Sequence, residues 1–476
     1  MTSTGRAAAA PTMIEGAVFA GLDRLAPPGP LGLAVSGGGD SLALLLIASR
    51  WARARDRRIM AATIDHGLRG AAPAEVAAVA RLAASLGVSH CLLEGDAGDA
   101  GGTGNLQARA RAARYAALTA WAQSEGLAAI ATAHTEDDQA ETLLMRLARG
   151  AGVDGLAGIA EIRQRAGPPP LTVIRPLLGV SRAALRDVLR NEGLGWIEDP
   201  TNADPAFDRT RARTALATLA PLGLTAPALA ATATRMRATL SMLDAAVAGL
   251  AQGRLGQGIA GEILIARDAL LGEPETAMRL LARAAKALTA AAYPPRREAL
   301  ERGLAFTRDL PWPPPDQPLA DGILLVATNQ PASSLFTGPA IALCREEVAC
   351  APPVTISDEG TAQDGTAALW DARVGLASGR VGLTLGALGE ARLTAIKKAG
   401  ELTIAGRADG FERFMASPRA ARLSAPAAIR ADGTLEAVLT RDGWGVPGPP
   451  PATPWTTPGV FHNAVARRLS ALLEGV

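Results

Sequence analysis

Leu31-Gly-Leu-Ala-Val-Ser36-Gly37-Gly38-Gly39-Asp40-Ser41, continuing as Leu42-Ala-Leu-Leu-Leu-Ile-Ala48, sets the architecture of this chain. A short apolar run meets three glycines, two hydroxyls and a carboxylate, and a longer helix-forming run follows. Glycines let the backbone curl until successive N–H groups point at one anion, and the helix that follows adds the positive end of its dipole. The spacing predicts a phosphate cradle at a strand-to-helix junction, with Ser36, Gly37, Gly38, Gly39 and Ser41 as its candidate contacts. It is not the G-x-x-x-x-G-K-[ST] loop, because no lysine follows the glycines, and G-x-G-x-x-G does not fit either.

From this junction to about Trp196, short apolar runs alternate with helix-patterned segments, the pattern of βαβ units on a parallel sheet. Strands are expected at Leu31–Val35, Ile59–Ile64, Cys91–Glu94, Ala128–Ala133 and Val173–Leu177. Helices are expected at Ser41–Arg53, Ala74–Leu86, Asn105–Glu125, Asp137–Arg149 and Ser181–Glu192, the last opening on a Ser N-cap. The expected fold class is α/β. A doubly wound parallel-sheet domain over 1–222 is followed by a helical domain over 223–308, a Pro-rich linker over 309–318 and a small mixed α/β C-terminal domain over 319–476.

The chain has 476 residues, 48% of them hydrophobic, enough for two to four domains with real cores. Aromatic residues make up only 3%, which argues against RNA recognition by a broad stacking surface. The 48 basic and 46 acidic residues nearly cancel, so a polyanion must be met by a local patch, and nearly all the basic residues are Arg. Cys91, Cys344 and Cys350 are too scattered for a disulfide framework or a CxxC metal site. A cytoplasmic location without a membrane anchor is expected, since the longest apolar run, Leu42–Ala48, is far short of the ~20 residues a spanning helix needs.

Asp138 and Glu141 stand three apart on one expected helix and face the same way. With Asp40 from the glycine loop they form a candidate oxygen set for Mg2+, which would neutralise phosphate charge. His134 closes a strand at the carboxyl edge of the sheet, where α/β folds bind ligands, and His66 closes another. Either suits a phosphate contact or a proton relay. Arg111 and Arg114 lie one helical turn apart, and Arg209, Arg211 and Arg213 form a second cluster; both suit phosphates or a charged transition state.

The S-G-G-x-D-S loop resembles that of the ATP-pyrophosphatase, or PP-loop, superfamily. Further blocks are similar to the tRNA(Ile)-lysidine synthetases: Ile64-Asp65-His66-Gly67-Leu68-Arg69, Asn105-Leu106-Gln107 through Arg111, Arg114 and Tyr115, and Ala133-His134-Thr135-Glu136-Asp137-Asp138-Gln139-Ala140-Glu141-Thr142. Arg175-Pro176-Leu177-Leu178, Ser181-Arg182, Trp196, Asp199-Pro200-Thr201-Asn202 and Arg209-Thr210-Arg211-Ala212-Arg213 continue the match in the family's order. Thr135 stands where the family often has a second His, Thr210 where Asn is common, and the C-terminal part matches only faintly, as at Leu369-Trp370-Asp371.

The resemblance implies an adenine nucleotide alpha hydrolase-like fold for the first domain. It also implies ATP and Mg2+, free L-lysine, and a tRNA(Ile) with a CAU anticodon whose wobble cytidine is converted to lysidine through an adenylated intermediate, with release of AMP and pyrophosphate. Asp40, His134, Asp138, Glu141, Arg209 and Arg211 are the implied catalytic residues, and Asp65, His66, Arg111 and Arg114 join the glycine loop in holding the nucleotide. A homodimer is compatible with the reading, and the C-terminal residues are expected to contact tRNA. The alternatives are a PP-loop tRNA thiolase of the 2-thiocytidine type, which needs a persulfide Cys or CxxC set, and a non-catalytic nucleotide- or RNA-binding homologue.

Overall fold

The computed structural model describes residues 12–65, 73–94, 106–165, 171–197, 208–291, 293–308, 312–329, 336–351, 354–355, 369–370, 374–375, 384–399, 402–404, 410–432, 435–440, 443–447, 462–463, 465 and 469. The chain forms two compact units, residues 1–240 and 241–476.

The first unit runs α1 (Met13–Leu25), β1 (Leu31–Ala34), α2 (Gly39–Ala54), β2 (Ile59–Asp65), α3 (Pro73–Ser85), β3 (Ser89–Glu94), α4 (Leu106–Ser124), β4 (Ala129–Thr132) and α5 (Glu136–Leu147). The short α6 (Val153–Leu156), β5 (Ile162–Arg165), β6 (Leu171–Ile174), α7 (Arg182–Asn191) and α8 (Asp208–Leu219) follow, and α9 (Ala226–Ala251) leads into the second unit. The sheet order is β3-β2-β1-β4-β6-β5. Leu31 is in register with Ile59 on one side and Ala129 on the other, both parallel. The strand order therefore reverses at β1, and the crevice beyond the carboxyl ends of β1 and β4 is where such sheets bind ligands.

The apolar run after the glycines is buried all round: Leu44, Leu45 and Ile47 are inaccessible to water, and α2 is a core helix instead of a surface one. Each such side chain contributes about 1.5–3 kcal/mol through burial, which fixes the helix start, and with it the glycine loop, against the sheet. Gly32 has no room for a side chain, because a Cβ there would lie 2.8 Å from both Leu127 and Trp121.

The sheet departs from the expected all-parallel form at one edge. β5 runs antiparallel to β6, pairing Arg163 with Val173 and Arg165 with Leu171. Its polar Ile-Arg-Gln-Arg sequence suits an edge strand open to solvent and carries no apolar signal of a strand.

In the second unit, β7 (Leu255–Gln257), β8 (Ile263–Ala266), β9 (Gln317–Pro318), β10 (Ile323–Thr328) and β11 (Ala340–Arg345) form an antiparallel sheet of order β7-β8-β11-β10-β9. Ile263 and Ile265 of β8 pack with α10 (Pro274–Thr289) and α11 (Arg297–Arg308), while Leu264 packs on the opposite face with Leu388, Leu393 and Phe414. Burial on both faces explains the unbroken Ile-Leu-Ile-Ala run. A further sheet joins Val354–Thr355, Thr384–Ala387, Pro426–Ile429, Leu435–Thr440, Gly443–Pro447 and Leu402–Ile404 in that order.

Two boundaries expected from sequence do not coincide with this organisation. β7 and β8 fall inside the segment read as helical, and β8 pairs with β11 across the segment read as a linker. Within the latter, Trp312 packs on the core beside Arg267, and Gln317–Pro318 is an edge strand, a place where proline is tolerated. Removing residues 311–476 would strip β10 and β11 from β8. The truncated chain is expected to aggregate, visible as a high-molecular-weight fraction on gel filtration; a soluble monomer with cooperative unfolding of both parts would contradict the shared sheet.

Candidate active site

The glycine loop leaves β1 through Gly37, whose φ of +87° is open to glycine and strained for other residues. Gly38 is the N-cap of α2, with no side chain of its own to cap the first amides. The Gly39 and Asp40 N–H groups lack partners within the helix by geometry and are available to an anion, while the Ser41 N–H already donates to the Gly38 carbonyl at 3.0 Å. Ser41 braces the loop from inside: its Oγ donates to the Gly38 carbonyl at 2.8 Å and accepts from the Ser36 N–H at 3.2 Å. The two hydroxyls stand 3.3 Å apart. Trp196 closes the other side, 3.3 Å from where a Gly39 Cβ would stand, and the Ile197 N–H reaches the Gly37 carbonyl at 3.4 Å.

His134 and α5 follow β4 on the other side of the crevice. Thr135 is the N-cap of α5, and both its N–H (2.8 Å) and its hydroxyl (3.0 Å) donate to Asp138 Oδ2. The departure from the family's second His is thus filled by a residue that caps the helix and orients Asp138. Asp137 accepts from the Arg182 N–H at 2.7 Å and ties the start of α7 to that of α5.

Arg182 is the centre of the cluster. Its Nε donates to Asp40 Oδ2 at 3.0 Å, and its terminal nitrogens lie 3.6 Å from Asp138 Oδ1 and 3.5 Å from Glu141 Oε1. Glu141 is almost fully buried and accepts from Arg213 Nε at 2.9 Å, and Arg209 stands 3.8 Å from Asp138 Oδ1. Arg209 and Arg213 share one face of α8, four residues apart, while Arg211 turns to Asp208 on the exposed side. The structure therefore brings Asp40, His134, Asp138, Glu141 and Arg209 together and does not bring Arg211 to them. Arg182, which in sequence stands only within a matching block, is the addition, and Arg213, part of the expected arginine cluster, takes the place expected for Arg211.

Burial pushes the Asp40 carboxyl above its usual range despite Arg182 beside it. Burial also opposes charge on Asp138, but the Thr135 N–H, His134, Arg182 and Arg209 outweigh it and hold that carboxyl low. Arg182 is held above its ordinary value, because Asp138, Asp40 and Glu141 outweigh its own burial. Burial lowers His134 to about 4, with Asp138 opposing and Arg175, Arg209 and Arg111 assisting. The imidazole is therefore neutral at pH 7, and its Nδ1 lies 2.9 Å from Thr132 Oγ1.

Among the described residues no three His, Cys, Asp or Glu side chains are arranged to hold a metal ion by themselves. The cation between Asp40, Asp138 and Glu141 is the Arg182 guanidinium. Asp40 Oδ1 and Glu141 Oε2 are nevertheless buried without a hydrogen-bond partner, and a single free carboxylate oxygen beside a phosphate cradle fits Mg2+ brought in on a nucleotide. Asp65 ends β2, and Arg111 and Arg114 lie on α4, Arg111 5.3 Å from the Tyr115 ring. His66, Arg69 and Asp199–Asn202 lie outside the described residues. No single described helix is long and apolar enough to cross a membrane.

A family model described as a PP-loop domain matches residues 22–220. The chain is 46% identical over 285 residues to a tRNA(Ile)-lysidine synthase of Ruegeria pomeroyi, covering 59% of this chain and 66% of that protein. It is 42% identical over 270 residues to the enzyme of the same name in Bradyrhizobium sp., covering 54% and 74%. With that of Methylobacterium nodulans it shares 45% over 298 residues, covering 61% of this chain and 85% of the relative. With the phosphate cradle and its charged surroundings in place, these matches make the assignment direct: the chain belongs to the tRNA(Ile)-lysidine synthase family of PP-loop enzymes.

Proposed function

We propose that this enzyme joins free L-lysine to carbon 2 of the wobble cytidine of a CAU-anticodon tRNA(Ile), consuming ATP and releasing AMP and pyrophosphate. The observation that carries the reading is the placement of the Gly37–Ser41 cradle beside the Arg182-centred cluster at the β1/β4 reversal of the sheet. The cradle holds the β- and γ-phosphates. The cytidine O2 forms a bond to the α-phosphorus as the bond to pyrophosphate breaks; the lysine amine then bonds to C2 as AMP leaves with O2.

Both steps spread negative charge over phosphate oxygens, and fixed guanidiniums stabilise it without reorganising. Arg209 and Arg213 supply that charge from one face of α8, Glu141 positions Arg213 and Arg182, and Asp138 positions Arg209. Asp40 would hold Mg2+ through its free oxygen, and the bound ion would neutralise the departing pyrophosphate. His134, neutral at pH 7, offers a hydrogen-bonding ring to the nucleotide and no second positive charge. The unit over 241–476 extends the surface offered to tRNA, and the reaction takes place in the cytoplasm, where tRNA and free lysine are found.

The test is transfer of labelled lysine, with ATP and Mg2+, to the isoleucine tRNA or to the initiator methionine tRNA that shares its anticodon. Label is expected only in the isoleucine tRNA, with one AMP per lysine. ATP cleaved to AMP without label in either tRNA would move the substrate to another branch of the superfamily.

A further inference from the structure

At the open edge of the first unit's sheet, Arg163 and Arg165 of β5 pair opposite Val173 and Leu171, on the face that α4 covers. The Arg165 guanidinium lies 3.9 Å from the centroid of the Tyr115 ring, and Arg111 approaches the same ring at 5.3 Å. Arg175, only 3% exposed, hydrogen-bonds the Tyr115 side chain and donates to the Ala160 carbonyl at 2.7 Å, while its Nε is buried without an acceptor. Among the described residues none of these four arginines is ion-paired with a carboxylate. Burial, together with the charges of Arg163 and Arg111, holds both Arg165 and Arg175 below their ordinary values.

Buried cations in proteins are ordinarily paired. Three guanidiniums gathered around one phenol, with Arg163 beside them on β5 and no paired carboxylate among the described residues, make a groove of positive potential, and their planar forks match phosphate oxygens. The groove runs from the neighbourhood of His134, where the charges of Arg111 and Arg175 are felt, out to β5, which lies three strand positions from β1, roughly 14 Å at ~4.8 Å per strand. A triphosphate anchored at Gly37–Ser41 does not extend its charge that far along the sheet. A polynucleotide, charged at every residue, does.

We propose that the groove between α4 and β5, formed by Arg111, Arg165 and Arg175 around Tyr115 with Arg163 beside them, holds consecutive backbone phosphates of the RNA substrate. The inference rests on the tRNA-modifying reading of the neighbouring site. Stacking on Tyr115 pre-orients Arg165, so the groove offers its charge at little entropic cost. The exposed Arg163 and the half-buried Arg165 are the members that can be altered without opening a core.

The experiment uses the full chain with Arg163→Gln/Arg165→Gln and with Arg163→Gln alone, which disturbs no ring contact. Affinities for a CAU-anticodon tRNA(Ile) transcript and for ATP are measured across a salt series. The double variant is expected to bind tRNA roughly tenfold more weakly near 0.15 M salt, and its salt slope to fall by about 2, against about 1 for the single variant. ATP affinity should not change. Arg165→Lys, which keeps the charge and loses the planar stack, should recover the slope and only part of the affinity.

Unchanged tRNA affinity and slope would overturn the proposal, as would self-association of the variants with normal tRNA binding, which would mark these arginines as guards of an open edge. Weakened ATP binding with normal tRNA binding would also overturn it, by identifying a triphosphate as the ligand. The wild-type chain separates the two readings. Groove-dependent tRNA binding without lysine transfer sinks the proposed reaction and leaves the groove, and lysine transfer with groove-independent binding does the reverse.

Discussion

Arg182→Ala is expected to cost about 3–5 kcal/mol of stability at pH 7, the usual penalty for removing one partner of a buried charge network. Arg182 neutralises Asp40, Asp138 and Glu141 at once, and its side chain is only 17% exposed. Without it Glu141 keeps Arg213, and Asp138 keeps the distant Arg209 and its Thr135 donors, but Asp40 loses its hydrogen-bonded guanidinium and keeps only the nearby charge of Arg186. For a unit of this size the loss corresponds to a fall in Tm of roughly 6 °C or more. The deficit should shrink as pH drops, because protonated carboxyls no longer need the guanidinium. ATP cleavage should fall with it, since α5, α7 and the glycine loop meet at this residue. Thermal unfolding at pH 7 and pH 5 checks the first part; a Tm at pH 7 equal to wild type would show that the carboxylates are neutralised by something else.

Asp40→Asn should have the opposite effect on stability and a larger one on chemistry. Burial raises the Asp40 pKa, so the native state holds the proton more tightly than the unfolded chain does. The corresponding stability is fully present below the unfolded pKa and is lost as pH rises through the folded one. At pH 7 the charge is therefore a cost, and the amide, which keeps an oxygen for Arg182, removes it. Tm at pH 7 is expected to hold or rise. AMP release should fall on the order of 10²- to 10³-fold, the scale of losing one electrostatic contact to a transition state. A variant less stable than wild type yet nearly as active would invert the assignment and make Asp40 a structural residue. Held stability with lost activity is the mark of a carboxylate kept charged for its ligand.

The parts of this arrangement that were legible in sequence are the locally determined ones. Ser36 to Ser41 announces itself because glycine and hydroxyl residues carry their own backbone instructions, and Asp138 and Glu141 share a face by helical spacing alone. Asp40, Asp138 and Glu141 are read on that basis and Arg209 on the family resemblance, and all four lie in one cluster. Arg182 was missed as a site residue because its role comes from packing: its partners are 142, 44 and 41 positions away in the chain. Arg211 was favoured over Arg213 because adjacent arginines cannot be told apart until helix phase sets two inward and one outward. β5 was missed because an edge strand of Arg and Gln has no apolar alternation, and β7 and β8 because two very short strands are swamped by Ala-rich helices on either side.

The pairing of β8 with β11 also constrains how the polypeptide can be made. Ala266 bonds with Ala340, so the fully buried Ile263-Leu-Ile-Ala266 strand has no neighbour on that side until some 74 further residues have been synthesised. At the ribosome's ordinary pace of about 5–20 residues per second, that is a wait of roughly 4–15 s. During this interval the buried β7–β8 hairpin of the second unit emerges with one open flank, while the first unit, complete by Leu240, is free to fold. Synthesis thus delivers the catalytic sheet first and leaves β7 and β8 as the segment most dependent on chaperones.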